Sequence, residues 1–198
     1  MGRIIIFCLS LGILSGCTVI AAVGGAVVDG GMYMFTAEKK SLPFSMRKIL
    51  IASQKTLDSM DLSATLIEPV DSGYILEFAN NKLSGSIKLI SETERLTTIS
   101  GRVYKSISRQ KSVENAIFEG IQTAALSVKK YERFNFKKYH YIRSKPSAAS
   151  SKEGWFVPGT KLNVSPSKTT GWLRIKMPSG KRAFLKGQMD KKTYSKGR

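Results

Sequence analysis

The sequence predicts an α+β protein in which a helix, a four-stranded antiparallel meander and a second helix are followed by a small all-β barrel. Apolar residues recur at helical spacing in residues 41–60 and 112–130. Between these stretches, four short segments alternate apolar and polar residues and are separated by turn-forming residues. Residues 129–198 carry most of the net positive charge, which indicates a second unit with its own surface chemistry.

The first predicted helix begins near Ser41 and Pro43. Serine is a favoured helix cap, and proline is tolerated in the first turn because the N–H that it lacks has no partner there. Apolar side chains then recur at steps of three, four and seven residues, which places them on one helix face. They are Met46, Ile49, Leu50, Leu57 and Met60.

Four strands are predicted over residues 62–70, 73–79, 83–91 and 95–104. Each segment is alternating or β-branched, and short turns such as Asp71-Ser72-Gly73 and Asn80-Asn81 separate one from the next. Alternation of this kind is typical of a strand with one dry face. The short turns predict an antiparallel meander.

The second predicted helix spans residues 112–130. Glu114 lies in its first turn and Lys129 and Lys130 in its last turn, where these charges complement the helix dipole. Apolar residues form a stripe along one face, namely Val113, Ile117, Ile121, Ala124 and Val128. The two helices and the meander define a predicted α+β domain at residues 41–130.

An aromatic and basic connector, residues 131–138, leads to the second predicted unit at residues 139–190. Apolar and polar residues alternate on both sides of Ser179-Gly180, which predicts a hairpin. A segment of this length with one such hairpin and two tryptophans indicates a small closed barrel. Residues 191–198 form a basic tail.

Three parts of the second unit occur in an order that resembles bacterial SH3-like domains. They are residues 141–147 (YIRSKPS), residues 157–164 (VPGTKLNV) and the paired segments 171–175 (GWLRI) and 178–185 (PSGKRAFL). The resemblance implies an SH3-like β-barrel that acts as a binding module. Those domains usually carry a tryptophan near the position of Ala183 and Phe184, so a groove formed there would differ.

The N-terminus has the features of a secretory signal. Arg3 supplies a positive charge, residues 4–14 are almost entirely apolar, and small residues precede Cys17. The motif Leu14-Ser15-Gly16-Cys17 resembles the lipobox of bacterial lipoproteins. This resemblance implies a signal peptide at residues 1–16 and a lipid on Cys17, followed by a tether at residues 17–40. The alternative is a single membrane helix over residues 4–28, which four glycines would interrupt.

Residues 16–130 also resemble a family of small Gram-negative lipoproteins of unknown function. The similarity lies in Gly16-Cys17-Thr18-Val19, in residues 99–103 (ISGRV) and in the helix around Ile117. In lipoproteins similar to these, an aspartate just after the lipidated cysteine favours retention at the inner membrane, whereas this chain has Thr18. The resemblance therefore implies a lipid-anchored protein of the outer membrane on its periplasmic side.

Composition and motifs favour a binding protein over an enzyme. The single histidine, His140, has no cysteine or carboxylate at metal-ligand spacing. Neither a glycine-rich phosphate loop nor a nucleophile motif occurs. Cys17 is the only cysteine left after removal of the signal peptide, so no disulfide can form within the mature chain. We therefore predict no catalysis, no cofactor and no metal site.

Positive charge is distributed very unevenly along the chain. The formal net charge is +18, and residues 129–198 carry 19 basic and 3 acidic side chains against 12 and 11 in residues 17–128. Such a surface attracts anionic polymers, and an export signal argues against nucleic acid as a physiological partner. The predicted partners are the membrane, through the lipid, and peptidoglycan or lipopolysaccharide.

Five residues of the second unit are candidates for ligand binding: Arg143, Trp155, Trp172, Arg174 and Phe184. Arginine pairs with anionic groups in bidentate geometry, and aromatic rings offer apolar platforms. One alternative is that Trp172 or Phe184 belongs to the core, and another is that the basic surface is merely solvated. A different function is also open, that of a structural or assembly component of an envelope complex, such as a secretion apparatus, that binds envelope proteins.

Overall fold

The computed structural model describes residues 38–187. The predicted signal peptide, Cys17 and the predicted basic tail lie outside the described residues, as does the predicted tether except for residues 38–40. Those three residues begin a strand, Glu38–Leu42 (β1), which the sequence patterns did not indicate.

Two helices and ten further strands follow β1 within residues 38–187. The helices span Met46–Ser59 (α1) and Lys111–Ser127 (α2). The strands are Ser63–Val70 (β2), Gly73–Ala79 (β3), Ser84–Thr93 (β4), Leu96–Lys105 (β5), Ser108–Arg109 (β6), His140–Arg143 (β7), Lys152–Phe156 (β8), Val164–Pro166 (β9), Trp172–Lys176 (β10) and Arg182–Lys186 (β11).

All the described strands join one antiparallel sheet in the order β1-β5-β4-β3-β2-β8-β7-β11-β10-β9, with β6 paired to β5. The sheet is not closed. The predicted fold, a helix–meander–helix domain followed by a separate SH3-like barrel, is therefore wrong. The physical reason is that β2 pairs with β3 along one edge and with β8 along the other. Leu66 lies opposite Phe156, and Ile67 lies opposite Trp155. The second half of the chain extends the first sheet instead of closing on itself.

Strand β2 is buried on both faces over residues 64–68, and a bulge at Thr65 puts Ala64 on the same face as Ile67. Ala64 and Ile67 join one hydrophobic core, whereas Leu66 points to the opposite face and joins another. The hydroxyl of Thr65 donates a hydrogen bond to the carbonyl of Glu77 at 3.3 Å, which holds the bulge against β3.

The first core fills the space between both helices and one face of the sheet formed by β2 to β5. Alternate residues of the strands enter it, among them Leu76, Phe78, Ile87, Leu89 and Ile99. The helices contribute Ile49, Leu57, Ile117 and Ile121. Gly120 lets the helices approach closely, since a Cβ atom there would lie 2.6 Å from Cγ2 of Thr56.

The second core lies on the opposite face of the sheet. It contains Leu66, Ile142, Phe156, Ile175, Met177, Ala183 and Leu185. Leu66 in β2 and Ile175 in β10 are four strands apart, a distance of roughly 19 Å in a flat sheet. Their burial in one cluster requires that strands β2 to β10 curl around this core.

The curl brings the turn between β10 and β11 back to β2. Glu68 is 1% exposed, and its carboxylate accepts hydrogen bonds from the N–H of Ser179, at 2.8 Å, and from the Ser179 hydroxyl. Gly180 completes the turn with a φ of +91°, a conformation that favours glycine. One buried carboxylate therefore ties the hairpin tip to the first half of the chain.

A buried ion pair holds the start of α2 against β5. The Glu114 side chain is inaccessible to solvent and accepts hydrogen bonds from Arg109 Nη2 at 2.7 Å and from the N–H of Val103 at 3.0 Å. Burial raises the pKa of Glu114, but the hydrogen bonds from Arg109 and Val103 and the charge of Arg109 outweigh it, so that the pKa lies below its usual value of 4.5.

We expect Glu114→Gln to lower the free energy of unfolding by about 2 kcal/mol at neutral pH, because hydrogen bonds to a charged acceptor are lost. A carboxylate with a lowered folded-state pKa stabilises above its unfolded pKa and loses this effect as pH falls through the folded value. The gap between variant and natural protein should therefore shrink below about pH 4.5. Urea unfolding at several pH values measures it, with the exposed Glu119→Gln on the same helix as the control. Equal stability of both variants at pH 7 would contradict this role.

Candidate functional site

The pairing register brings three of the sequence candidates together. Phe184 in β11 lies opposite Arg143 in β7 on one side and opposite Arg174 in β10 on the other. Directly opposed residues of antiparallel strands point to the same face. The three side chains therefore form one row across neighbouring strands.

This row belongs to a larger surface that we call the basic face. It lies opposite the second core, because the flanking residues Ile142 and Leu185 are buried there. Residues that lie two positions before or after Arg143, Arg174 or Phe184 on the same strand point to the same face, and so do the residues opposite them on the neighbouring strands. Its members are Tyr141, Arg143, Lys152, Trp172, Arg174, Lys176, Arg182, Phe184 and Lys186.

Both arginines of the row are oriented by main-chain carbonyls. Arg143 Nη1 donates to the carbonyl of Ser150 at 2.7 Å, and Arg174 Nε donates to the carbonyl of Pro166 at 3.1 Å. A guanidinium has five N–H donors. Each arginine therefore keeps most of its donors while its direction is restricted.

Tyr141 gathers two cations at one end of the row. Tyr141 is 43% exposed, with Lys152 Nζ 3.9 Å and Arg143 Cζ 5.2 Å from the centroid of its ring. These distances are within the range of cation–π attraction. Tyr141 and Lys152 were missed by sequence reasoning, although the two-residue spacing from Tyr141 to Arg143 on a strand could have indicated a shared face.

Basic residues far outnumber acidic ones around the basic face. Residues 139–187 contain ten lysines and arginines and one glutamate, Glu153. None of the ion pairs within residues 38–187 involves a member of the face. Unpaired cations of one sign on a single surface produce a positive potential that attracts anions.

Trp172 and Phe184 belong to neither core. Both side chains are partly exposed on the basic face, and neither packs with the two hydrophobic clusters. The structure therefore does not support the alternative that Trp172 or Phe184 belongs to the core. Their rings are accessible to a ligand.

Trp155 lies on the same side of the sheet as its partner Tyr141, but it packs against the connector. It lies opposite Ile67 and Tyr141, at the junction of the two halves of the sheet, and its ring packs against Phe136 with the ring centroids 4.7 Å apart. It also contacts the first core. The ring packs between the connector and the sheet. A role of Trp155 in ligand binding remains a prediction.

The connector, residues 131–138, is attached to α1 by hydrogen bonds and to the first core by apolar packing. The Gln54 side chain on α1 donates to the carbonyl of Asn135 at 3.1 Å and accepts from the Asn135 N–H at 2.8 Å. Phe134 and Tyr139 are buried in the first core. Burial raises the pKa of Tyr139, and the charge of Asp58 raises it further.

A second polar feature lies on the uncovered face of β3 to β5. Thr65, Glu77, Ser86, Tyr104 and Lys161 are among the residues that line a cleft there. Burial raises the pKa of Glu77, and the nearby charge of Glu68 raises it further. The cleft is separate from the basic face, which lies on the other face of the sheet.

Residues 38–187 contain no cluster of histidine, cysteine or carboxylate side chains suited to a metal ion. In the same residues, neither helix has the length and apolar character needed to cross a membrane. The ring of His140 packs edge-on against Phe156 at 5.9 Å.

No protein-family model matches the chain, and no curated protein matches it at a significant level. The function is therefore inferred from its own residues and their geometry.

Substitution of the aromatic residues should separate packing from surface roles. Trp155→Ala should lower the free energy of unfolding by about 2–3 kcal/mol, because it removes a ring packed at the sheet junction. Trp172→Ala and Phe184→Ala should each cost less than about 1 kcal/mol, because their rings contact neither core. Chemical denaturation followed by circular dichroism measures all three. A loss at Phe184 as large as that at Trp155 would show that the basic face is structural.

Proposed function

We propose that the chain is a lipid-anchored, non-enzymatic envelope protein that binds an anionic envelope polymer, peptidoglycan or lipopolysaccharide, through its basic face. The observation that carries the proposal is the row Arg143–Phe184–Arg174, in which two oriented cations flank an accessible aromatic ring. The binding surface is one face of the open sheet.

The chemistry of this face matches such polymers in two ways. Guanidinium groups donate paired hydrogen bonds to phosphate and carboxylate oxygens. Exposed aromatic rings contribute apolar contact that salt does not screen. The charge-dependent part should weaken as ionic strength rises, since the Debye length falls to about 8 Å at physiological salt.

The anchor and location rest on the sequence. The motif Leu14-Ser15-Gly16-Cys17 supports a lipid on Cys17, and Thr18 supports sorting to the periplasmic side of the outer membrane. A lipid at the N-terminus would hold the basic face close to the polymers of the periplasm.

A specific observation favours a second candidate function, that of a structural or assembly component that binds envelope proteins. Leu126, near the end of α2, is 71% exposed and Tyr131, just after it, is 85% exposed. Exposed large apolar side chains are typical of protein contact sites. This candidate predicts binding that depends on other envelope proteins.

Cys17→Ser should abolish lipid attachment, because the thiol is the atom that carries the lipid. Cells grown with a labelled fatty acid should incorporate the label into the natural protein and not into the variant. Ser15→Ala, which keeps a small residue before the cleavage site, is the control and should still be labelled. Label that persists in the Cys17→Ser protein would refute the anchor.

Neutralising the basic face should weaken binding to anionic polymer. The variant Arg143→Gln, Lys152→Gln, Arg174→Gln, Lys186→Gln should sediment with purified peptidoglycan, or bind lipopolysaccharide, at least roughly tenfold more weakly at low salt. The control removes four exposed lysines from the first half of the chain, Lys39, Lys82, Lys105 and Lys111. Equal losses in both variants would show that binding depends only on the net charge of the protein and not on the basic face. No binding of the natural protein to either polymer would favour the protein-partner function.

A further inference from the structure

We infer that residues 126–133, the end of α2 and the turn after it, dock on the surface of an anionic phospholipid bilayer. We call these residues the α2 corner. Its exposed apolar side chains enter the headgroup region, and its cations contact the lipid phosphates. The inference goes beyond the proposed function, because it concerns another part of the surface and does not use the basic face. Together with the proposed lipid on Cys17, the α2 corner gives the protein two contacts with one membrane.

Two large apolar side chains of the α2 corner are exposed to solvent. Leu126, in the last turn of α2, is 71% exposed, and Tyr131 is 85% exposed. Val128 lies between them in the chain and is buried in the first core, so this segment is packed on the protein. Exposed apolar side chains gain free energy when they leave water, and a bilayer interface accepts both an aliphatic side chain and the amphipathic ring of tyrosine.

The turn that carries Tyr131 is attached to α1. The N–H of Glu132 donates a hydrogen bond to the carbonyl of Lys129 at 3.2 Å, which places Tyr131 near the tip of the turn. Arg47 on α1 donates to the carbonyl of Glu132 at 2.6 Å, and Lys55 forms an ion pair with the Glu132 carboxylate at 2.6 Å. These contacts fix the turn, so docking of the exposed ring requires little further ordering of the chain.

The apolar side chains of the α2 corner are accompanied by exposed cations, namely Lys129, Lys130 and Arg133. Lys130 Nζ lies 5.7 Å from the centroid of the Tyr131 ring, so a cation and an apolar group are presented together. Glu132 is the only acidic residue of the corner, and its carboxylate is already engaged by Lys55 and by the N–H of Lys129. The corner therefore attracts anionic headgroups.

This combination of side chains fits a membrane surface better than a protein partner. Lysine is depleted in the cores of protein interfaces. At a bilayer surface, lysine and arginine keep their charged ends among the phosphates while their stems lie along apolar groups. Tyrosine is enriched at the same depth of the bilayer. The second candidate function assigns Leu126 and Tyr131 to a protein partner, and the binding experiments distinguish the two.

Fluorescent labels on single cysteines test which surface meets the bilayer. The protein is the chain from residue 17 with Cys17→Ser, which has no lipid and no other cysteine and keeps both cores of residues 38–187. One variant, Ser127→Cys, carries the label in the α2 corner. The other, Ser165→Cys, carries it opposite Arg174 at the basic face.

With vesicles that contain phosphatidylglycerol, the emission of an environment-sensitive fluorophore at position 127 should shift to the blue. Spin-labelled lipid should quench this fluorophore, whereas the label at position 165 should change little. A shift at position 165 without one at position 127 would show that the basic face meets the membrane instead, and would overturn the inference. The absence of a shift at both positions would overturn it as well.

Removal of the two apolar side chains should weaken docking. Leu126→Ser combined with Tyr131→Ser should lower partition onto the same vesicles at least roughly tenfold, because two apolar groups no longer leave water. The control Ile107→Ser removes a side chain that is 97% exposed between β5 and β6 and should leave partition unchanged. Sedimentation with vesicles measures partition, and circular dichroism confirms that each variant is folded. Undiminished partition of the double variant would contradict the inference.

Removal of the cations should weaken docking only on anionic vesicles. The variant Lys129→Gln, Lys130→Gln, Arg133→Gln should bind vesicles with phosphatidylglycerol at least roughly tenfold more weakly at low salt, with a much smaller change on phosphatidylcholine alone. The control neutralises three exposed lysines elsewhere in the first half of the chain, Lys39, Lys82 and Lys105. Equal losses in the two triple variants would show that vesicle binding depends on net charge alone, and the inference would fail.

Crosslinking in native envelopes distinguishes a lipid from a protein partner. A photoreactive group on Ser127→Cys should form adducts with phospholipid. Adducts with a protein, together with no fluorescence shift on vesicles, would overturn the inference and support the second candidate function. The variant that neutralises four residues of the basic face should still show the shift at position 127. Loss of polymer binding and loss of membrane docking are therefore separate results, and only the second contradicts the α2 corner.

Discussion

The burial of β2 on both of its faces is the constraint on which the rest of the structure depends. Ile67 faces the first core and Leu66 the second, since successive residues of a strand point to opposite faces, and the bulge at Thr65 brings Ala64 to the side of Ile67. Leu66 is buried among side chains of the second half of the chain, and β8 pairs with β2, so that the second half extends the first sheet. The hydrogen bonds from Ser179 to the buried Glu68 add a polar contact at the same strand.

The basic face is a consequence of this arrangement. Once the curled strands direct Ile142, Ile175 and Leu185 towards the second core, every alternate residue of β7, β10 and β11 must face outwards. In the described residues 38–187 the side chains of this face are exposed or only partly buried, so long basic side chains can remain hydrated there at little cost. The geometry that buries the core therefore also aligns Arg143 and Arg174 beside Phe184 and produces the proposed binding surface.

Sequence reasoning named candidate residues, and the structure supplied their arrangement. Arginine and aromatic residues on predicted strands pointed to Arg143, Arg174 and Phe184, and the register then placed them in one row. Trp155 looked equivalent in the sequence, yet it packs on Phe136 because β8 pairs with β2. A resemblance in turns and short motifs to SH3-like domains carried no information about that pairing, since the motifs lie entirely within the second half.

The sequence by itself determined the features that depend on neighbours along the chain. Apolar periodicity located α1, α2 and strands β2 to β5, the Ser179-Gly180 turn produced a hairpin, and the composition concentrated positive charge after residue 129. Only the tertiary structure decided that the strands within residues 38–187 share one open sheet, that β1 lies at its edge and that two cores meet at β2. These outcomes depend on hydrogen bonds and apolar contacts between segments that are distant in the sequence. The free energy of such contacts depends on how well the two segments pack together, which the pattern of either segment alone does not determine.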